Sequence, residues 1–253
     1  MARWFEFSDQ AWLPGPIRRC FTELLQFQAT TYRNFDAAIP KLNQALRRSR
    51  SREILDLCSG SGGPLIDLVP YLHAERFTLS DRFPPARSAG TGAVAPNVAW
   101  LDEPLDARAV PPRNAACRTL FASFHHFGAA DARRILASAV EARAPIAIFE
   151  YTERRFERIW RLLFAPWRVA CDTWRMRPRN LARLFWTFVV PVVPLVYTWD
   201  ALVSHLRTYT PKELRALTAG LAGHAWEAGT LPPGEELLRI TYLVGVPART
   251  PRN

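Results

Sequence analysis

Five short apolar runs of strand length punctuate the first 150 residues: Glu53–Leu57, Arg76–Asp81, Val98–Leu101, Thr119–Phe124 and Ile146–Glu150. Each carries or runs into a polar residue near its end. Between the fourth and fifth, Asp131–Arg143 places its apolar residues at helical spacing on one face. Ahead of the first, Pro16–Thr31 and Phe35–Arg47 show the same spacing, and Pro40 kinks or shortens the second. Strands that alternate with helices imply a parallel sheet, and such sheets hold ligands at the carboxyl ends of their strands.

Past Glu150 the pattern changes. A basic, aromatic stretch is followed by Leu184–Trp199, sixteen uncharged residues that include Pro191 and Pro194. A membrane-spanning helix needs about 20 apolar residues, so this run reads as too short to span. Three readings stand for it: a buried cap, a pocket wall for a greasy substrate, or a segment that dips into a membrane surface. Next, Asp200, Ser204 and Arg207 fall on one face of a helix. That face holds either a polar group of a substrate, with Tyr209 beside it, or an Asp–Arg pair that ties the segment down. Thr210-Pro211-Lys212-Glu213 is a capping box with proline at the first helical position, and Gly220 closes its helix. His224–Gly229 and Ile240–Pro247 read as a terminal hairpin.

A chain of 253 residues accommodates one catalytic domain and an insertion. The expected division is a helical extension over 1–50 and a core over 51–253, interrupted by a basic and apolar insertion over 152–199. Cys20, Cys58, Cys117 and Cys171 are scattered, which indicates neither a metal site nor a disulfide framework. Met1–Glu6 leads into no apolar leader core, so the expected location is cytoplasmic. The net charge is +10, and only Lys41 and Lys212 among the 33 basic residues are lysine. From Thr152 to Arg183, nine arginines face three acids, a local surplus of six. Basic residues with interleaved aromatics suit nucleic acid in principle. Here the basic stretch runs directly into an apolar one, and nucleic acid ranks below a small, hydrophobic or lipid-like substrate. Peripheral membrane contact through 154–199 is the accompanying alternative.

The chemistry concentrates where the first strand enters a glycine-rich turn, Asp56-Leu57-Cys58-Ser59-Gly60-Ser61-Gly62-Gly63. Glycines there let a ligand lie against the backbone, and the helix starting near Pro64 is expected to aim its amides at the same place. The spacing is not the G-x-G-x-x-G dinucleotide pattern. An acid followed by small residues at every second position resembles motif I of the class I S-adenosylmethionine (SAM) dependent methyltransferases, with Cys58 where that family has its first glycine. Asp81, nineteen residues after Gly62, suits the vicinal hydroxyls of a ribose. Asp106 resembles the family residue that meets the adenine amino group. The segment Trp199-Asp200-x-x-Val203-Ser204-x-Leu206-Arg207-x-Tyr209 is similar to one in bacterial class I methyltransferases of unassigned substrate.

The resemblance implies an α/β fold: a doubly wound, seven-stranded, mostly parallel sheet whose last strand runs antiparallel. It also implies SAM as cofactor, held by Asp56, Cys58, Ser59, Gly60, Gly62, Asp81, Asp106 and Ser123, and methyl transfer to a small acceptor. A non-catalytic SAM-binding partner protein is the alternative. Methyl transfer is an in-line displacement that needs a base only when the acceptor must lose a proton. His125 and His126, just past the fourth strand, are the candidates for that base or are loop histidines packed beside Phe124 and Phe127. Glu150 is a further candidate near the acceptor.

Overall fold

The computed structural model describes residues 4–60, 62–84, 95–112, 116–232 and 239–248. The strands are β1 (Glu53–Leu57), β2 (Arg76–Ser80), β3 (Val98–Trp100), β4 (Cys117–Phe121), β5 (Ile146–Glu150), β6 (His224–Leu231) and β7 (Ile240–Pro247). The α-helices are α1 (Gly15–Tyr32), α2 (Ile39–Ser49), α3 (Leu65–Leu68), α4 (Ala129–Glu141), α5 (Phe156–Ile159), α6 (Ala165–Arg175), α7 (Leu181–Leu184), α8 (Val192–Arg207) and α9 (Pro211–Thr218). They divide into two compact units, one of residues 33–151 and 209–253, the other of residues 1–32 and 152–208. The first boundary therefore falls at Tyr32 rather than near residue 50. The reason is that Leu42, Ala45 and Leu46 of α2 pack into the sheet core with Ile54 and Phe77.

In the sheet unit, the strand order is β3-β2-β1-β4-β5-β7-β6. The first five strands are parallel, and β7 inserts antiparallel between β5 and β6. This is the expected fold class. The central strands carry apolar residues on both faces because both faces are covered. Ile54, Cys117, Phe121, Ala147 and Phe149 face the α2 side, while Leu55, Leu57, Leu120, Ile146 and Ile148 face α4 and α9.

Strand β4 is displaced from its expected limits. It starts two residues earlier because Arg118, fully buried, donates to Ser138 Oγ on α4 at 2.8 Å instead of marking a boundary. It stops at Phe121 because Ala122 turns into the left-handed region at φ 46°. The helix after the glycine turn starts next to Pro64, as expected, and is short. Pro70 has no N–H to continue it, and α3 gives way after four residues to a tighter turn over Val69–Tyr71. The capping box on α9 forms as read: Thr210 Oγ1 accepts from Glu213 N, and Glu213 Oε2 accepts from Thr210 N at 2.8 Å.

In the second unit, α1, α6 and α8 with their flanking residues share a core of Leu13, Ile17, Leu24, Val169, Met176 and Val193. Asp172 of α6 is buried and accepts from Gln28 Nε2 at 2.8 Å and from the Tyr32 hydroxyl at 2.5 Å. The apolar run 184–199 divides between environments. Val193, Pro194 and Val196 are buried, whereas Phe185, Phe188, Val189, Val190 and Leu195 are exposed. Helix α8 begins at Val192, seven residues before Trp199, since Pro194 lies in its first turn, where its missing N–H costs nothing.

Candidate active site

The turn after β1 is built on a buried carboxylate. Asp56 and Thr119 are paired across β1 and β4 and lie on the same face. Thr119 Oγ1 donates to Asp56 Oδ1 at 2.6 Å, and Ser59 Oγ donates to Asp56 Oδ2 at 2.7 Å. Ser80 Oγ donates to the Asp56 carbonyl at 2.6 Å, and Ser59 N to the Ser80 carbonyl at 2.9 Å. The Asp56 side chain is thus spent on fixing the turn to β4, while its carbonyl holds the end of β2. Burial pushes its carboxyl up to about 7 against the two hydroxyls, which work to lower it.

The turn itself needs unusual backbone. Cys58 stands at φ 60°, Gly60 at 57° and Gly62 at 114°. A side chain in the left-handed region costs about 1 kcal/mol, which is why glycine is the ordinary occupant where Cys58 sits. Burial and the charges of Asp81, Asp56 and Asp106 push the Cys58 thiol far up, so it stays neutral. At Gly60, nothing lies within 4 Å of the position a Cβ would take, so the backbone there faces open space. At Gly62, a Cβ would stand 2.3 Å from Ile66 Cδ1. Ser61 lies outside the described residues.

Asp81 follows β2 directly, as expected, and reaches the same turn. Its Oδ2 accepts from Gly60 N at 2.9 Å and its Oδ1 from Phe83 N at 2.8 Å. Each oxygen keeps a second lone pair. Asp106 is committed to a neighbour. Its oxygens accept from Arg108 Nη2 at 2.6 Å and Nε at 3.0 Å, and the Arg108 bonds hold its carboxyl down at about 2. Ser123 is buried beside the Cys58 thiol. Among the described residues the buried Nε1 of Trp100 on β3 has no hydrogen-bond partner.

The second constellation lies at the ends of β4 and β5. The chain leaves β4 through Ala122 and forms a tight turn over Phe124–His126. Glu150 Oε1, at the end of β5, accepts from Phe124 N at 2.7 Å and His125 N at 3.2 Å, and Oε2 lies 2.8 Å from His125 Nδ1. Burial alone would raise the Glu150 carboxyl, but the His125 charge, its ring hydrogen bond and its amide together hold it below the usual range. The His125 and His126 rings lie 4.4 Å apart. Tyr209 packs on Phe124, and its hydroxyl donates to the Phe127 carbonyl at 2.8 Å, so it braces this turn from behind.

The other acceptor candidates, Asp200 and Arg207, belong to α8. Asp200 is buried and accepts from Phe7 N at 2.7 Å and Ser8 N at 2.9 Å. Ser204 Oγ donates to Glu6 Oε1 at 3.2 Å, and Arg207 pairs with Glu6 at 3.5 Å and Asp9 at 3.7 Å. The Asp-Ser-Arg face of α8 therefore straps down the N-terminal segment. Thr119, Ala122 and Trp100 were not singled out as site residues from sequence. Only strand pairing shows that Thr119 stands opposite Asp56, and no local signal marks the other two.

A glycine turn after β1, an acid after β2 bonded to that turn, and a sheet ordered 3-2-1-4-5-7-6 with an antiparallel β7 define the fold of the class I SAM-dependent methyltransferases. No family model and no curated protein matches the chain. Solved structures do. One is an O-methyltransferase from neocarzinostatin biosynthesis in complex with SAM and 2-hydroxy-5-methyl naphthoic acid, with TM-score 0.55 and 15% identity over 92% of this chain and 59% of that one. Another is the plantazolicin methyltransferase in complex with S-adenosylhomocysteine, with TM-score 0.56 and 13% identity over 94% of each chain. A third is human N-acetylserotonin methyltransferase in complex with SAM, with TM-score 0.50 and 14% identity over 92% of this chain and 58% of that one. The chain thus spans less than two thirds of the length of the first and third.

Proposed function

We propose that the protein is a SAM-dependent methyltransferase acting on a small, hydrophobic or lipid-like acceptor at an oxygen. The observation that carries this reading is the buried Glu150–His125 pair on the same sheet as the glycine turn. Structural neighbours crystallised with SAM or S-adenosylhomocysteine support the cofactor, and two of them are named for a naphthoic acid complex and for N-acetylserotonin. The residues fit such a group. Gly60 offers backbone that faces open space, Asp81 has lone pairs to spare, and the Trp100 indole is a donor without another partner among the described residues.

When bound, SAM supplies a methyl on a sulfonium. Asp81 would take the ribose hydroxyls while its bond from Gly60 N keeps the turn in place. Gly60 and Gly62 bring the backbone close, and Asp56, Cys58 and Ser59 set the shape of the turn from beneath. Asp106 would take the adenine end with Arg108 at its back. Glu150 accepts from His125 Nδ1–H and so leaves Nε2 as the basic nitrogen. His125 then removes the acceptor's proton, and the Glu150 carboxylate stabilises the imidazolium that forms.

The test is thermal unfolding with SAM, S-adenosylhomocysteine, NAD and NADP, alongside Asp81→Ala. A ligand at 100 times its Kd stabilises by about 2.7 kcal/mol. A shift with the two adenosyl ligands alone, abolished in Asp81→Ala, supports the cofactor assignment. Formation of S-adenosylhomocysteine with an acceptor pool of phenolic and quinol-like compounds, lost in His125→Gln, supports the chemistry. A shift without any turnover would replace the enzyme reading with that of a SAM-binding partner protein, and no shift would overturn both.

A further inference from the structure

Helix α6 is apolar on two opposite sides. One side, with Ala165, Val169 and Met176, packs into its unit. Leu163 in the preceding turn, Trp167 and Trp174 follow at i, i+4 and i+11. At about 100° per residue they lie directly opposite that buried side. They are 79%, 76% and 56% exposed. A surface helix ordinarily presents a polar stripe there.

The ridge continues beyond α6. The Trp174 ring meets that of Phe188 edge-on at 6.4 Å. Phe188, Val189 and Val190 form the outer corner where the segments Leu181–Val189 and Val192–Arg207 bend by 74°. No described helix is long and apolar enough to cross a membrane, although this bent pair together has the length and composition of a broken span or re-entrant loop. Helix α8 puts Asp200 to work on the N-terminal segment, which fits a corner that touches a surface rather than a helix that leaves its unit.

The rim of the ridge is cationic. Arg161, Arg168, Arg175, Arg177 and Arg179 are all exposed, and the Arg179 guanidinium stacks over Trp174 at 4.5 Å. From Arg154 to Leu195 the acids are Glu157, which pairs with Arg155 at 2.9 Å, and the buried Asp172. Arg168 and Arg175 lie 3.8 and 3.7 Å from Asp172, which leaves a net positive rim, so a second copy of the chain would set one surplus of arginine against another. An anionic bilayer supplies both halves of the match. Head-group phosphates suit the guanidinium forks, and the acyl boundary takes tryptophan, leucine and phenylalanine.

We propose that the ridge Leu163, Trp167, Trp174, Phe188 and Val189 seats on the surface of an anionic lipid bilayer, with the flanking arginines on its head groups. This holds whatever reaction the sheet unit carries. The test is flotation of the full chain with phosphatidylcholine vesicles, with and without phosphatidylglycerol, at low and high salt. The expected result is binding only to the anionic vesicles, released by salt. Trp167→Ser with Val189→Ser should lower the partition about tenfold, and Arg177→Gln with Arg179→Gln should weaken binding and its salt dependence. Both pairs are at exposed positions, and unchanged melting curves would confirm that they fold. Equal binding to neutral vesicles, binding indifferent to these substitutions, or no binding at all would overturn the proposal. So would a dimer in sedimentation equilibrium that Trp167→Ser dissolves, since the ridge would then be an interface between copies.

Discussion

Asp56 and Glu150 end strands of the same sheet with β4 between them, and both are almost fully buried, yet their carboxyls shift in opposite directions. Burial penalises the charged form of each. What separates them is the partner. Asp56 meets two hydroxyls, which bond a neutral carboxyl nearly as well as a charged one. Glu150 meets an imidazole and two main-chain N–H groups, which favour the carboxylate. One strand end is therefore a fixed scaffold for a turn, and the other holds a buried charge against His125.

The largest test of this contrast is Glu150→Ala. It leaves His125 and two buried amides without their acceptor and should cost about 3–5 kcal/mol in urea denaturation at neutral pH. Because the folded carboxyl is held low, its stabilisation is present above the unfolded carboxylate range and lost as the pH falls through the folded value. The gap between variant and wild type should accordingly close in acid. Should the gap stay constant with pH, the pair is held by packing and not by charge.

Asp56→Asn should run the other way. The folded Asp56 carboxyl titrates near 7, above its unfolded value, so its stabilisation is present in acid and drains away as the pH rises toward 7. Asn does not titrate. Its stability relative to wild type should improve by on the order of 2 kcal/mol between pH 5 and 7, read from melting curves. A flat difference would mean that Asp56 is ionised throughout.

Within the turn, Gly62→Ala should exceed Gly60→Ala. The first adds a collision with Ile66 Cδ1 to a positive φ, and the second meets only the positive φ. Roughly 2 kcal/mol against 1 is expected, with SAM affinity falling in step for Gly62→Ala. Smallest is Cys58→Gly, which relieves the left-handed φ but frees the unfolded chain. The net change should stay within about 1 kcal/mol of zero, with SAM affinity kept.

The same contrast shows what a sequence can and cannot disclose. The glycine turn and Asp81 were legible because a strand entering a glycine cluster and a second strand ending in an acid are local patterns, and parallel pairing then brings their ends together. The hydroxyl of Thr119 was not, since it reads as part of an apolar run until β4 is laid beside β1 in register. The limits of β4 failed for two definite reasons. Arg118 looks like a boundary but is buried, pushed down to about 10 by the loss of water, and Ala122 ends the strand without any glycine to announce it. Asp200, Ser204 and Arg207 were correctly placed on one helix face. Their partners Glu6, Phe7 and Ser8 lie so far away in sequence that no spacing argument reaches them.

That separation has a consequence for how the chain is made. Phe7 N and Asp200 are 193 residues apart. A ribosome adds about 5–20 residues per second, so the N-terminal segment emerges roughly 10–40 s before the carboxylate that holds it exists. For most of that wait Leu13 and the α1 residues Ile17 and Leu24 have no α6 or α8 to cover them. The sheet unit can close around its own strands only after β7, later still. Helix α1 is thus made early and secured late, and its apolar face stays uncovered for most of the chain's synthesis.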